Sequence, residues 1–286
     1  MPLVTMTELL ELNKNGNWAV GAVDVMNQDM VRGVIAGAEK VKAPVILMLA
    51  EVHESLVSIE ELGTIMIDCA RRASVPVCVH FDHGETYSSI IRAMKAGFTS
   101  VMYDGSHLPL EENIQTTKEI VRVAKALGIS VEAELGQLTR PEGCDDEGIE
   151  ENPDLYTDPE EAVRFYHETG IDALAVAFGT AHGVYARQPV LDFNRLQEIR
   201  KKTGAPLVMH GGSGLKASDF HTAIDCGVKK INYYSNMVFS VAQTIRKKLN
   251  EAEGKTYYHD ISSWAIEAIS DDIADTLTRF RSNGKI

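Results

Sequence analysis

The chain has 286 residues, with 41 acidic against 28 basic side chains and a formal charge of −13, which disfavours nucleic acid or an anionic membrane as its main partner. No run of about 18 consecutive apolar residues is present, so no membrane-spanning helix is expected. Residues 1–8 lack the basic region and apolar core of a secretory leader, and a cytoplasmic location is expected. The cysteines, Cys69, Cys78, Cys144 and Cys226, are widely spaced with no Cys-x-x-Cys, a pattern of reduced thiols. The length suits one large α/β barrel or two smaller domains.

In chain order, a short helix is predicted over residues 5–14, a strand over 18–25 and a helix over 28–41 with small residues on one side. Ala43-Pro44 leads into a second strand, residues 45–49. Residues 58–72 read as a helix, with Ser58 as N-cap and Glu61 completing a capping box. The third strand, residues 77–84, reads Val-Cys-Val-His-Phe-Asp-His-Gly and carries His80, Asp82 and His83 at its end. A helix over 86–96 stops at Gly97, and the fourth strand, 99–103, ends in Asp104-Gly105. The helix over 110–127 stops at Gly128, and the fifth strand, 130–135, carries Glu132 and Glu134 in alternation. Residues 136–157 form a long acidic loop rich in Gly and Pro, of a length usually functional or disordered. Asp158-Pro159 opens a helix with proline at its first position. A sixth strand over 173–178, a helix over 193–202 and a seventh strand over 206–209 follow. A helix over 217–226 and an eighth strand over 229–233 precede two closing helices, 236–251 and 262–280.

Eight strands alternating with helices is the pattern of a single (β/α)₈ TIM barrel over residues 1–286, with additional C-terminal helices. A doubly wound sheet accommodates the same periodicity. His83, His182 and His210 each precede a glycine at a strand end. His182 and His210 are one βα unit apart, and His83 and His182 about three, so the three fall at the ends of strands three, six and seven, on one face of a barrel. Three imidazoles with an open fourth position make a catalytic zinc site. His53, His107, His167, His221 and His259 show no such pattern and read as surface or packing residues. His80, two residues before Asp82, reads as support for the site.

Asp82 adjoins a ligand, where a carboxylate can reach substrate or else orient a histidine. Asp104 and Glu134 end strands facing the site and suit a second divalent cation or an alternative position for the first; Glu132 shares a face with Glu134. Gly-Thr-Ala-His-Gly at 179–183, Gly-Gly-Ser-Gly at 211–214 and Asn-Tyr-Tyr-Ser at 232–235 follow strands six, seven and eight, where glycine-rich turns and a helix N-terminus cradle phosphate in barrels. A metal beside a phosphate pocket suggests a small phosphorylated substrate with a carbonyl or hydroxyls to chelate.

These residues resemble the class II, zinc-dependent ketose-bisphosphate aldolases, the group with fructose- and tagatose-bisphosphate aldolases. The likeness runs along nearly the whole chain through five ordered motifs: His80-Phe-Asp-His-Gly84, Ser100-Val-Met-Tyr-Asp-Gly-Ser106, Val131-Glu-Ala-Glu-Leu-Gly136, Ala175-Val-Ala-Phe-Gly-Thr-Ala-His-Gly183 and His210-Gly-Gly-Ser-Gly214. It implies zinc on His83, His182 and His210, a second metal position at Asp104 and Glu134, and Asp82 as the shuttle for the proton on the carbon-4 hydroxyl. It further implies that Gly183, Gly211, Ser213, Asn232 and Ser235 hold the phosphate of dihydroxyacetone phosphate, with backbone groups coordinating a monovalent cation. The implied reaction is reversible cleavage of a ketose 1-phosphate or 1,6-bisphosphate to dihydroxyacetone phosphate and an aldehyde through a zinc-stabilised enediolate, in a homodimer or homotetramer. Glu142 of the long loop is the candidate for exchanging the carbon-3 proton.

The sequence also departs from that group. Its loop after the fifth strand lacks Gly-Gly-x-Glu; its first strand ends Ala22-Val23-Asp24 rather than Ala-Phe-Asn. Ala50 replaces a serine, Tyr234-Ser235 stands where Asp-Thr or Ala-Thr is usual, and Tyr257-Tyr-His-Asp260 replaces an arginine-containing segment. Most of these positions surround the aldehyde half, so the resemblance leaves open a different, non-phosphorylated aldehyde partner. A metal-dependent hydrolase usually has His-x-His on the first strand, which carries no histidine here. A non-catalytic sugar-phosphate binder is the remaining alternative, against which stand the three histidines and Asp82.

Overall fold

A computed structural model of the chain describes residues 2–138, 152–183 and 188–286. The chain opens with β1 (Leu3–Val4) and α1 (Met6–Leu12), followed by β2 (Val20–Asp24), α2 (Gln28–Lys40), β3 (Val45–Ala50), α3 (Ile59–Arg72), β4 (Val77–Gly84) and α4 (Tyr87–Ala96). Next come β5 (Ser100–Tyr103), α5 (Leu110–Leu127), β6 (Ser130–Leu135), α6 (Pro159–Thr169), β7 (Ala173–Val176), α7 (Phe193–Thr203), β8 (Leu207–Met209) and α8 (Ala217–Asp225). β9 (Val228–Tyr233), α9 (Ser235–Glu251) and α10 (Tyr258–Arg279) complete it. Strands β2 to β9 pair in parallel in sequence order, and β9 pairs with β2, closing an eight-stranded TIM barrel.

Alternation along each strand divides the core in two. Val45, Leu47 and Leu49 of β3 and Val77, Val79 and Phe81 of β4 join the layer between barrel and helices. Ile46 and Met48, Cys78, Ala173 and Ala175, and Val208 fill the lower barrel interior, where Met6, Leu9 and Leu10 of α1 close the bottom. Above this apolar floor the inner face turns polar: His80, Asp82, Glu132, Glu134, Lys230 and Asn232 are all buried. A buried polar layer at the carboxyl ends of barrel strands marks where chemistry is placed.

Two differences between sequence and structure have a visible cause. The two residues of β1 pair with Val77 and Cys78 at the foot of β4, below the point where β5 begins at His80, and two residues carry no period to read. The last helix starts at Tyr258, a turn before the expected residue 262, because the Asp260 carboxylate accepts the Tyr257 N–H at 2.8 Å and caps it there. Ser58 caps α3 by accepting from Glu61 N at 3.2 Å, but among the described residues the reciprocal Glu61 bond is absent. As expected, Asp158 caps α6, accepting from Glu160 N and Glu161 N. α10 folds back on α2, with Ile269 and Ile273 against Gly33 and Gly37.

Candidate active site

In a regular strand, neighbours such as Asp82 and His83 point to opposite faces. In β4 they do not. Its register against β5 shifts between Phe81 and Gly84, and His83 has φ +45°, a left-handed value uncommon outside glycine. This irregularity brings His83 Nε2 to 3.8 Å from Asp82 Oδ2 at the barrel mouth. The unusual backbone is held by a 2.7 Å hydrogen bond between His83 Nδ1 and Asp104 Oδ2, just beyond β5.

His182 lies beyond β7 and His210 directly after β8. The ligand atoms of His83, His182 and His210 all lie within 4.8 Å of one another, as do those of His83, Asp104 and Glu134. His83 donates its Nδ1–H to Asp104, and His210 donates its Nε2–H to Glu132 Oε1 at 2.9 Å, tautomers inferred from the carboxylate partners. That leaves His83 Nε2 and His210 Nδ1 facing each other at 2.8 Å with lone pairs inward. His182 Nδ1 and Glu134 Oε2 are buried and have no hydrogen-bond partner among the described residues. Converging lone pairs, two orphaned buried atoms and outward N–H groups fixed on carboxylates fit a divalent cation with imidazole ligands.

The electrostatics agree. Burial, reinforced by His83 and His210, holds the His182 imidazole well below its ordinary range. Burial also lowers His210, against the opposing hydrogen bond to Glu132. Neutral imidazole is the metal-binding form. Burial would raise Asp104, but its hydrogen bond to His83 and that ring's charge outweigh it and hold the carboxyl below the usual range. Glu134 goes the other way: burial and the nearby Asp104 charge push it well above the ordinary value.

Asp82 sits beneath the histidines. It accepts from Asn232 Nδ2 at 3.1 Å, lies 3.4 Å from His80 Nε2, and is 3.9 Å from the Lys230 ammonium. Burial would raise its carboxyl, but the neighbouring His83 ring, the Lys230 ammonium and the His80 hydrogen bond prevail and hold it well below the usual carboxylate range. His80 is itself fixed by Ser100 Oγ at 2.7 Å. Glu132 and Glu134 share the inner face but divide their tasks: Glu134 faces His83 and Asp104, while Glu132 lies deeper, salt-bridged to Lys230 at 2.8 Å.

Around the mouth, Gly211 has φ +67°, and an added Cβ would meet the Ala181 backbone, so the turns after β7 and β8 pack main chain on main chain. Ser213 Oγ accepts from Tyr234 N at 3.3 Å, which sets this turn against the start of α9, where Ser235 is the first residue. Gly183 ends the described part of the turn after β7, and Asn232 Nδ2 stands 3.4 Å from His210 Nδ1. A cleft of about 500 Å³ opens beside the histidines, with Asp104, Glu134 and Glu51 in its wall. Glu142 and Cys144 lie outside the described residues.

Lys230 was not among the residues read from the sequence, although its spacing of two from Asn232 on one strand places both on the same face. Two histidines read as surface or packing residues belong to the mouth. His53 is half-buried with its ring 5.3 Å from Tyr234, and His107 lines the cleft.

A parallel barrel with clustered imidazoles and a buried, ionised aspartate at its carboxyl end has the frame of a metal-dependent enzyme. The profile of class II fructose-bisphosphate aldolases matches residues 4–285. The chain is 37% identical over 288 residues to a probable fructose-bisphosphate aldolase of Bacillus subtilis, with both chains covered in full. It is 35% identical over 290 residues to a fructose-bisphosphate aldolase of Staphylococcus aureus, covering 100% of this chain and 99% of that one. Among solved structures, the YdjI aldolase of Escherichia coli K12 superposes with a TM-score of 0.87 at 33% identity, covering 99% of each chain. A putative fructose-1,6-bisphosphate aldolase of Coccidioides immitis gives 0.84 at 30%, covering 98% of this chain and 97% of that one. The chain belongs to the class II fructose-bisphosphate aldolase family and is a carbon–carbon lyase. Membership implies a divalent metal, and the cluster of His83, His182 and His210 is consistent with a zinc site.

Proposed function

We propose that the protein reversibly cleaves a ketose 1-phosphate or 1,6-bisphosphate to dihydroxyacetone phosphate and an aldehyde. The observation that carries this reading is the buried Asp82 carboxylate 3.8 Å from His83, beneath the three-imidazole cluster. His83, His182 and His210 would hold zinc, with Asp104 and Glu134 offering a second divalent position. A bound divalent cation supplies Lewis acidity to the ketone carbonyl. Asp82, kept charged by its neighbours, takes the proton from the carbon-4 hydroxyl as the carbon-3 to carbon-4 bond breaks, and returns it in condensation. Asn232 and His80 fix the direction in which that carboxylate points. Glu142 is assigned the exchange of the carbon-3 proton.

Gly183, Gly211, Ser213, Asn232 and Ser235 are assigned to the phosphate of the donor half. Support comes from the turn after β8, which leans on the N-terminus of the 17-residue α9, an end that no side chain caps. Backbone groups of the same turns are the proposed holders of a monovalent cation. A cytoplasmic homodimer or homotetramer is the expected setting.

The test is cleavage of a panel of ketose phosphates by zinc-loaded protein, read by dihydroxyacetone phosphate release with and without chelator. Chelator-sensitive release is expected. Absence of release across the panel, with one equivalent of zinc bound, would refute the reading.

A further inference from the structure

The ends of β2 and β3, together with Tyr234 just after β9, form a side of the mouth beside the donor assignments to Asn232 and Ser235. The His53 ring, in the turn after β3, lies 5.3 Å from the Tyr234 ring at an angle of 55°, and the Tyr234 hydroxyl rests 3.1 Å from Met26 Sδ. Burial pushes the His53 imidazole below its ordinary range, against the opposing charge of Asp82. The turn that carries His53 follows Ala50, which lies in register with Asp82 between β3 and β4, so this wall stands beside the reacting end.

The charges on this side are negative or already committed. Asp24, at the end of β2, is buried. The Glu51 carboxylate accepts from Glu85 N and Ser89 Oγ, each at 2.7 Å, so it occupies the N-terminal end of α4 where an anion could otherwise sit. Arg92 is held by Glu54 at 2.9 Å and Glu60 at 2.8 Å. Lys230 is fully buried on Glu132. The adjoining cleft has, among the described residues, no Lys or Arg in its wall. A dianionic second phosphate here would face carboxylates with no uncommitted countercharge among the described residues, which is unfavourable in a partly dry site. A hydroxylated carbon chain would find ring faces and no such repulsion.

We infer that His53 and Tyr234 are specificity-determining residues that seat an uncharged hydroxyaldehyde, so that ketose 1-phosphates are preferred over bisphosphates. This rests on the donor reading above. The test runs in the condensation direction with zinc-loaded protein and dihydroxyacetone phosphate, comparing glyceraldehyde and glycolaldehyde with glyceraldehyde 3-phosphate. In parallel, deuterium exchange at carbon 3 of dihydroxyacetone phosphate is followed by NMR with no aldehyde present. Expected is a kcat/KM for an uncharged aldehyde at least about tenfold above that for glyceraldehyde 3-phosphate, a margin worth one good contact. In His53→Ala and Tyr234→Ala, condensation with the uncharged aldehyde, scaled to each variant's own exchange rate, should fall about tenfold through KM. Tyr234→Phe, which keeps the ring, should recover most of it. Preference for glyceraldehyde 3-phosphate, or an unchanged scaled rate in both alanine variants, would overturn the inference while exchange upholds the donor reading. Loss of exchange in the native protein would overturn both.

Discussion

Glu134 offers the sharpest test of how the site is built. The residue is 2% exposed, its Oε2 lacks a hydrogen-bond partner among the described residues, and burial together with Asp104 raises its carboxyl well above the ordinary value. A buried polar group left unpaired costs about 1–3 kcal/mol, and a charged one costs more. Glu134→Gln keeps an unpaired polar group but removes the buried charge, so metal-free protein at neutral pH should gain the difference, on the order of 1–3 kcal/mol. With an unfolding entropy of about 0.6 kcal/mol per kelvin for 286 residues, the gain is about 2–5 °C in melting temperature.

The sign of the pH dependence follows from the raised carboxyl. The native state binds the Glu134 proton more tightly than the unfolded chain, so protonation stabilises the wild type fully below about pH 4.5. That contribution is lost as pH rises through the folded value. The advantage of Glu134→Gln should therefore be near zero in acid and grow towards neutral pH. Thermal unfolding of both proteins in chelator, from pH 5 to 8, measures it directly. Excess zinc should shrink or reverse the difference, because the cation gives the native carboxylate a partner. A variant less stable than wild type in chelator at pH 7.5, or a difference independent of pH, would refute this account.

Other perturbations separate the remaining parts. His210→Ala should bind well under one equivalent of zinc by elemental analysis, since it removes one of three clustered imidazoles. Asp82→Asn should keep its zinc yet lose about 10²–10⁴ in kcat, the range for a positioned acid–base group. Lys230→Met strands the Glu132 carboxylate at a fully buried site, a break worth about 3–5 kcal/mol and so about 5–8 °C of melting temperature. Adding Glu132→Gln to Lys230→Met should restore part of that loss, which a double-mutant thermal series would show.

Much of this architecture is readable from the chain because its signals are local. β4 is bounded by Pro76 and by the glycine that follows His83, and its observed limits, Val77–Gly84, are those of the sequence pattern. The spacing of His83, His182 and His210 becomes proximity once a barrel brings strand ends together. What escapes is set by partners distant in sequence. Lys230 sits 98 positions from Glu132, and a lysine in a strand ordinarily suggests an exposed face. The left-handed backbone of His83 depends on register with β5 and a bond to Asp104, neither visible in the motif. His53 has no recognisable spacing, because its neighbour Tyr234 comes from the opposite end of the chain.

The vertical order of charge in the barrel gives these features a common physical sense. At the floor, apolar side chains exclude water. One level up, Lys230 lies 2.8 Å from Glu132 and 3.9 Å from Asp82, so two buried carboxylates share one fixed cation. Burial opposes both, yet this countercharge lowers the Glu132 carboxyl to about 2 and helps keep Asp82 ionised. At the top, Glu134 has no such partner among the described residues, and burial together with repulsion from Asp104 raises its carboxyl. The protein thus satisfies its inner charges permanently with a lysine and leaves its outer ones to be satisfied by something removable. That division gives Asp82 a countercharge built into the barrel, and places the unsatisfied charge where a cation can enter from the cleft.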